Sequence, residues 1–322
     1  MEIVLGVDGG QSHTEAVVAD LEGHVLGRGR GGPSNHVEAP GGRERLRAAV
    51  VDSVGGALAG AGLGALDAAR FVAAHFAMTG EADFKHDIIA AVVQTDRLDV
   101  AHDTPAALAG ATGGAPGIAI IAGTGSVAFG ESADGQVARS AGFGYLFGDE
   151  GSGFGVARDA LRAAMIAVDR GERQSPLMEQ LAMRFEVRDL RDMPMRFYNH
   201  HVSRDEVAAA ARDVLEAVDA GDPLASAVVR DGIAALVSMV VNVATRLEMT
   251  TPDVRMVGGM FRHVPYRMAF ERAVRGAIPG ARAALPLLGP AEGAVMLALR
   301  GAGRSIDHPV VEALRLSWKA TT

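Results

Sequence analysis

Two short glycine-rich turns contain the residues best suited to bind phosphate. The first, DGGQSHT at residues 8–14, follows an apolar run and combines Asp8 with Gly10 and the hydroxyl of Ser12. Backbone N–H groups and hydroxyls in such a turn can cradle a phosphate. The turn lacks the GxxxxGK(S/T) pattern, which excludes a P-loop, and an ordinary hairpin turn is the simpler alternative.

The second turn, AGTGS at residues 122–126, offers Thr124, Gly125 and Ser126 after another apolar run. Two facing turns of this type can hold a triphosphate from opposite sides, with backbone dipoles and a hydrated Mg²⁺ in place of lysine. The pair therefore predicts a nucleoside triphosphate site more specifically than either turn alone.

Asp103 lies between the apolar run LDVAH and the small-residue segment DTPAALAG. As the N-cap of a helix, its carboxylate would accept a hydrogen bond from the N–H of Ala106, with Pro105 in the first turn. It would also stand at the carboxyl end of a parallel strand, where α/β sheets gather their ligands, so it is also a candidate general base. The sequence leaves both roles open.

Two further glycine-rich stretches suit flat ligands. In GFGYLFGDEGSG, residues 142–153, glycines alternate with aromatic residues and two acidic residues follow. Aromatic faces and carboxylates are suited to binding a sugar. The alternative is a surface loop before a helix that is capped by Asp149 or Ser152. In MVGGMF, residues 256–261, a strand, two glycines and a helix would let backbone pack against a ring such as adenine, although such turns are common.

The elements that must position these residues occur twice. IVLGVDGG and TEAVVADLEGHVLGRG have the same order of features as IAIIAGTGS and VAFGESADGQVARS: strand, glycine turn, strand, a turn at Gly23 or Gly135, and strand. The repeat predicts two related sheets, each with one tight loop, and the alternative is two unrelated hairpins. Alternating helices and strands between the copies indicate α/β structure with parallel strands.

The remaining pattern predicts the other elements. Strands are expected in ARFVAAHFAM, LDVAH and VRMV, and a closing helix in EGAVMLALR. Further helices are expected at 43–63, 86–94, 155–168, 177–184, 204–220 and 223–248.

The composition narrows the class of protein. The chain has 322 residues, 48% of them hydrophobic, a formal net charge of −8, and lysine only at Lys85 and Lys319. This length and apolar content support two domains with real cores, and the negative balance argues against a nucleic-acid partner. The chain has no cysteine, its N-terminus does not read as a signal peptide, and no uninterrupted apolar stretch approaches the roughly 20 residues of a membrane span. We therefore expect a cytoplasmic protein without a membrane partner.

Taken in order, these segments resemble the phosphate-1, connect-1, phosphate-2 and adenosine motifs of the actin-like sugar kinase superfamily. GPSNH, AGTGS and GDEGS are similar to the N-acetylglucosamine kinase and BadF/BadG/BcrA/BcrD ATPase family, from about residue 3 to 300. GGMFRH and AGTGSV also resemble archaeal broad-specificity hexokinases of that family.

The resemblance implies an α/β fold of two duplicated ribonuclease H-like (actin-like ATPase) domains with a central cleft, and a homodimer. It implies an N-terminal sugar-kinase domain at 1–114 plus about 291–322, and a C-terminal nucleotide-binding domain with a helical insertion at 115–290. Closure about residues 113–117 and the segment before Glu292 would exclude water and bring donor to acceptor.

The resemblance also implies residue roles. ATP and Mg²⁺ are the implied cofactors, and Asp103 is the implied catalytic base, which also contacts the sugar. Asp8 would hold Mg²⁺ through water, and ATP would contact Asp8, Gly10, Ser12, Thr124, Gly125, Gly258, Gly259 and His263. The sugar would contact Asn35, Ser126, Gly142, Phe143, Gly144 and Asp149 as well.

The implied reaction transfers the γ-phosphate of ATP to the 6-hydroxyl of N-acetylglucosamine, with glucosamine or several hexoses as alternative acceptors. Because the transition state is loose, the enzyme mainly positions the reactants and stabilises charge. Gln11 and His13 depart from the DGGGTKT usual in the family and leave the nucleotide preference open. Phe143 and Val127 stand where animal acetylglucosamine kinases have Trp and Asn, which leaves the sugar open.

Two other classes of function compete with the kinase. A BadF-type ATPase that activates a partner enzyme bridges its dimer with a Cys-ligated cluster, which this cysteine-free chain cannot build. A catalytically silent sugar sensor is the other alternative, and the presence of Asp8, Asp103 and Asp149 argues against it.

Overall fold

The computed structural model describes residues 1–80 and 83–320. The chain divides into two compact units. Unit 1 comprises Met1–Ala115 and Pro286–Thr322, and unit 2 comprises Pro116–Leu285.

The strands are short and the helices vary widely in length. In chain order the strands are β1 (Ile3–Gly9), β2 (Thr14–Asp20), β3 (Val25–Gly31), β4 (Ala73–Met78), β5 (Leu98–His102), β6 (Gly117–Ala122), β7 (Ser126–Glu131), β8 (Val137–Ala141), β9 (Asp253–Val257) and β10 (Arg282–Ala284). The α-helices are α1 (Gly42–Gly60), α2 (Asp83–Ala90), α3 (Asp103–Thr112), α4 (Gly153–Asp169), α5 (Pro176–Arg184), α6 (Met193–Tyr198), α7 (Arg204–Ala209), α8 (Ala211–Asp219), α9 (Pro223–Arg246), α10 (Val264–Ala277), α11 (Pro290–Gly301) and α12 (His308–Ala320).

Each unit contains a five-stranded mixed sheet of the same connectivity. The order in unit 1 is β3-β2-β1-β4-β5, and in unit 2 it is β8-β7-β6-β9-β10 when counted from the antiparallel edge. In both sheets the first three strands are antiparallel and the last two join in parallel. The predicted duplication is confirmed, and the alternative of two unrelated hairpins is wrong.

The sheet of unit 1 is covered on both faces because neighbouring residues of β1 point to opposite sides. Leu5 packs in one buried cluster with Leu46 of α1, whereas Val4 packs in another with Val295 of α11. Both faces are apolar, as expected for a sheet between two helical layers.

Glycines allow two close approaches in unit 1. A Cβ atom at Gly29 of β3 would lie 2.0 Å from the carbonyl oxygen of Ser53 in α1, and one at Gly293 of α11 would lie 1.9 Å from that of Ala106 in α3. Any side chain at these positions would separate the elements. The second contact fixes α3, whose first residue is Asp103.

Unit 2 surrounds its sheet with a larger helical layer. Ile118 and Ile120 of β6 belong to a continuous buried cluster with residues of α4, α9 and α10. Tyr266 of α10 is fully buried, and its hydroxyl donates a 2.6 Å hydrogen bond to the carbonyl of Gly151. This bond ties α10 to the loop that precedes α4.

Helix α9 is the one helix of the described residues that is long and apolar enough, by length and composition, to cross a membrane. Its Ile233, Leu236 and Val240 are buried in the core cluster of unit 2. Core helices pass the same test, so the helix is weak evidence for a membrane span.

Most predicted elements are present, with two corrections. The segment 204–220 is two helices, α7 and α8, separated at Ala210. The helix in EGAVMLALR is not the last, because α12 follows it, with the carboxylate of Asp307 accepting a hydrogen bond from the N–H of Val310. Strand β10 was not predicted, the helix expected after MVGGMF is α10, and α2 begins earlier than expected.

Candidate functional site

In unit 1, acidic side chains gather at one edge of the sheet. Asp8 is near the end of β1 and pairs in register with Ala77 of β4, which in turn pairs with Ala101 of β5. Asp103 follows two residues after Ala101. The carboxyl ends of parallel strands therefore bring the two predicted functional aspartates to the same edge.

Asp103 is not the N-cap that the sequence suggested as one alternative. It is the first residue of α3, and His102 occupies the cap position. Nδ1 of His102 lies 2.8 Å from the carboxylate of Asp103 and 3.4 Å from the N–H of Thr104. One nitrogen cannot donate to the first and accept from the second at once, and the shorter contact with Asp103 is the better hydrogen bond. The Asp103 carboxylate is thus partly exposed and not committed to capping.

Asp8 is held in an unfavourable electrostatic environment. Burial and the nearby negative charges of Asp103, Glu15 and Glu292 raise the pKa of Asp8 to about 7. Burial also raises the pKa of Glu292. A cation near Asp8 would relieve this repulsion, and oxygen atoms are the ligands that Mg²⁺ prefers. Among the residues described, no group of three or more His, Cys, Asp or Glu side chains could hold a metal ion.

The first glycine turn closes on itself. The N–H of Gly10 donates to the carbonyl of His13 at 2.9 Å, and the carbonyl of Gly10 accepts from Ser34. The N–H of Gly10 is therefore used within the hairpin, whereas Ser12 is exposed. Gly10 can offer a close backbone approach to a phosphate, and Ser12 can offer donors.

Beside this turn unit 1 has a cavity of about 310 Å³. Asn35, one of the predicted sugar-binding residues, lines it. Its other lining residues are Gln11, His36, Val37, Glu38, Ala39, Thr79, Gly80, Phe84 and Lys85. The volume and the mixture of amide, charged and aromatic groups suit a small polar ligand.

In unit 2 the second glycine turn is fastened to the loop before α4. The N–H of Ser126 donates to Oδ1 of Asp149 at 3.1 Å, and its hydroxyl donates to the carbonyl of Glu150 at 2.8 Å. The carbonyl of Thr124 accepts from the N–H of Phe154. The structure therefore brings together the AGTGS and GDEGS segments, which are distant in sequence.

Asp149 is more enclosed than the sequence indicated. It has a positive φ of 67°, is only 3% exposed, and its Oδ2 lies 2.9 Å from the guanidinium of Arg204. Arg204 also lies over the rings of Tyr145 and Phe154. Ser152, rather than Asp149, caps α4. A sugar that binds Asp149 would have to share this carboxylate with Arg204 and Ser126.

The glycines around Phe143 form an exposed turn. Gly142 and Gly144 both have φ of 76°, and Phe143 between them is 70% exposed. The carbonyl of Gly142 accepts from Arg139 at 2.8 Å. The turn lies beside a cavity of about 880 Å³, which Gly142 and Phe143 line together with residues of α9.

The predicted adenosine segment has the strand, glycine turn and helix that the sequence indicated. Gly258 has φ of 110°, and a Cβ atom there would lie 2.4 Å from the carbonyl oxygen of Ala122. Gly259 has open space around it. Nδ1 of His263 accepts from the N–H of Tyr266 and caps α10, while Nε2 donates to Asp219 at 2.9 Å.

Two cationic residues next to candidate site residues were not predicted from the sequence. Arg204 pairs with Asp149, and Lys85 is a buried residue of the unit 1 cavity. Lys85 could have been noticed as one of two lysines in the chain. Nothing in the sequence near Arg204 points to a carboxylate 55 residues away.

Comparisons with known proteins agree with this architecture. A crystal structure from Chromobacterium violaceum, assigned provisionally as an N-acetylglucosamine kinase, is similar over 93% of this chain and 99% of its own, with a TM-score of 0.74 and 26% identity. The α/β fold of two five-stranded sheets is that of the actin-like ATPases. The model of the BadF/BadG/BcrA/BcrD ATPase family matches residues 5–298, and the chain belongs to this family.

Two named relatives are similar over most of their length. The N-acetylmuramic acid/N-acetylglucosamine kinase of Clostridium acetobutylicum is 27% identical over 83% of this chain and 88% of the relative. The N-acetyl-D-glucosamine kinase of Dictyostelium discoideum is 25% identical over 92% of this chain and 98% of the relative.

Proposed function

We propose that this chain is an ATP-dependent kinase that transfers the γ-phosphate of ATP to the 6-hydroxyl of an amino sugar. N-acetylglucosamine is the first candidate acceptor because its name is shared by the three similar proteins described above. The single observation that carries the proposal is the position of Asp103, which lies at the same sheet edge as Asp8 with a carboxylate not used for capping.

Asp103 is the proposed catalytic base. A carboxylate aligned on the sugar hydroxyl accepts its proton as the phosphoryl group arrives, and little basicity is needed because that proton moves late. The 2.8 Å contact with Nδ1 of His102 restrains the orientation of the carboxylate. Asp103 therefore positions the hydroxyl and removes its proton.

Asp8 is the proposed anchor of Mg²⁺, held through water. The metal would neutralise charge on the phosphates of ATP. The nearby carboxylates that raise the pKa of Asp8 support this role, because a divalent cation would reduce the repulsion among these negative charges.

The other roles remain as the family resemblance implies. Ser12, Thr124 and Gly125 would contact phosphates, and Gly258 with Gly259 would face adenosine. Asn35 supports an acceptor site in unit 1 because it lines the 310 Å³ cavity. We further propose a cytoplasmic homodimer, and light scattering after size-exclusion chromatography tests the dimer.

The direct test is sugar-dependent ADP formation by the purified protein. With ATP and Mg²⁺, we expect ADP in proportion to N-acetylglucosamine phosphorylated, and a glucosamine and glucose panel ranks the alternatives by kcat/KM. A protein that binds the sugar without forming ADP would instead be a sensor, and the kinase proposal would fail.

A further inference from the structure

Lys85 is a buried cation at the proposed acceptor site. It belongs to α2, is 3% exposed, and its Nζ donates a hydrogen bond to the carbonyl of Thr79 just after β4. Burial of a charged side chain is unfavourable unless the charge has a partner or a function. The Thr79 carbonyl is neutral and uses one of three ammonium hydrogens.

Burial and the charge of Asp103 change the pKa of Lys85 in opposite directions. Burial lowers the pKa of Lys85, while the negative charge of Asp103 raises it. Asp103 is the proposed base, so Lys85 lies within electrostatic reach of the reacting carboxylate. The charges of Lys85 and Asp103 therefore influence each other.

Lys85 also lines the 310 Å³ cavity together with Asn35, His36, Glu38 and Phe84. Asn35 supplies an amide and Phe84 an aromatic ring, which are common contacts for a sugar. Glu38 is the carboxylate among the lining residues, and it is exposed, whereas Lys85 is buried. Because solvent screens an exposed charge more strongly, the buried ammonium dominates the potential felt by a ligand inside the cavity.

We propose that Lys85 determines acceptor specificity by selecting N-acetylated amino sugars with an anionic substituent and rejecting sugars with a free ammonium group. This inference rests on the proposed function, since it deepens the choice of acceptor. A carboxylate on the sugar gains a charge-assisted hydrogen bond from Lys85. The protonated amine of glucosamine meets the like charge of Lys85 in the cavity.

The test compares N-acetylmuramic acid with its carboxamide, which has nearly the same size and lacks the negative charge. In the unchanged protein we expect kcat/KM for the acid to exceed that for the amide by about tenfold. In Lys85→Gln, whose amide can still donate to Thr79, we expect the ratio to fall to about one and glucosamine to improve relative to N-acetylglucosamine. Arg47→Gln, which removes an exposed charge from α1, is the matched control and should leave the ratio unchanged.

Calorimetric binding of the same two sugars without ATP separates this inference from the kinase proposal. Charge-selective binding that Lys85→Gln abolishes and Lys85→Arg partly restores supports the inference even if no sugar is phosphorylated. Equal binding of acid and amide by the unchanged protein overturns the inference, whatever the ADP assay gives. An acid-to-amide ratio that survives in folded Lys85→Gln also overturns it.

Discussion

Asp8 is a carboxyl group whose ionisation is disfavoured in the folded protein. Its pKa of about 7 in the folded protein lies above the ordinary 3.8. Between these values the folded state binds more protons than the unfolded state, so the free energy of unfolding decreases as the pH rises through this window. Below the lower value both states are protonated, and the group has no effect on stability.

We therefore predict that Asp8→Asn stabilises the unliganded protein and abolishes activity. The melting temperature should rise by several degrees at pH 8, with a smaller difference at pH 4, because the substitution removes a charge that folding disfavours. Differential scanning calorimetry at the two pH values measures this. A lower melting temperature for Asp8→Asn at pH 8 would contradict the electrostatic account of this site.

The pair Asp149 and Arg204 supports a second prediction for single residues. Arg204→Met leaves the buried Asp149 carboxylate without its cation, which should cost about 3–5 kcal/mol in the free energy of urea unfolding. Adding Asp149→Asn should recover a large part of that loss, because the remaining group is neutral. Additive losses in the double variant would show that the ion pair does not account for the effect.

At the scale of elements, the contact between α3 and α11 positions the proposed base. Gly293→Ala would place a Cβ atom 1.9 Å from the carbonyl oxygen of Ala106, so the helices must separate and Asp103 must shift. We predict that the free energy of unfolding falls by at least about 2 kcal/mol. We also predict that kcat decreases by a larger factor than KM changes. Urea unfolding and steady-state kinetics measure the two effects.

Gly55→Ala in α1 is the matched control. A Cβ atom at Gly55 has no neighbour within 4 Å, so alanine should stabilise the helix by about 0.5–1 kcal/mol. If the two alanine variants behaved alike, close packing of α3 against α11 would not be what holds Asp103.

The elements that the sequence predicted best are those with strong local signals. The strand LDVAH and the helix at 223–248 were predicted nearly to the residue because apolar runs and glycine or proline boundaries mark them. For α10 the sequence predicted only that a helix follows MVGGMF, and the bounds Val264–Ala277 were not predicted. Its cap is a histidine, which is an uncommon capping residue.

The sequence supplied candidate residues for the site but not their geometry. Glycine turns and isolated aspartates made Asp8, Asp103 and Asp149 candidates, and their roles stay predictions. Whether the carboxylate of Asp103 caps its helix depends on the neighbouring His102, and whether Asp149 is open depends on Arg204. Such side-chain contacts leave no periodic signal in a sequence.

At the scale of the whole molecule, the same five-stranded sheet connectivity occurs in both units, with different helices inserted between the strands. Helix α1 follows the antiparallel strands in unit 1, while α4 to α9 occupy the same place in the order of unit 2. Helix α3 follows β5 as α11 follows β10. The pairing of α3 with α11 in unit 1 thus joins corresponding helices of the two repeats.

The central claim is that Asp103 is the base of a sugar kinase. The most direct measurement is the rate of sugar-dependent ADP formation by Asp103→Asn, with ATP and sugar binding determined by calorimetry on the same sample. We predict binding within a fewfold of the unchanged protein and a turnover lower by several orders of magnitude. Asp52→Asn, an exposed carboxylate of α1, should retain full turnover. Turnover near that of the unchanged protein in folded Asp103→Asn would contradict the account.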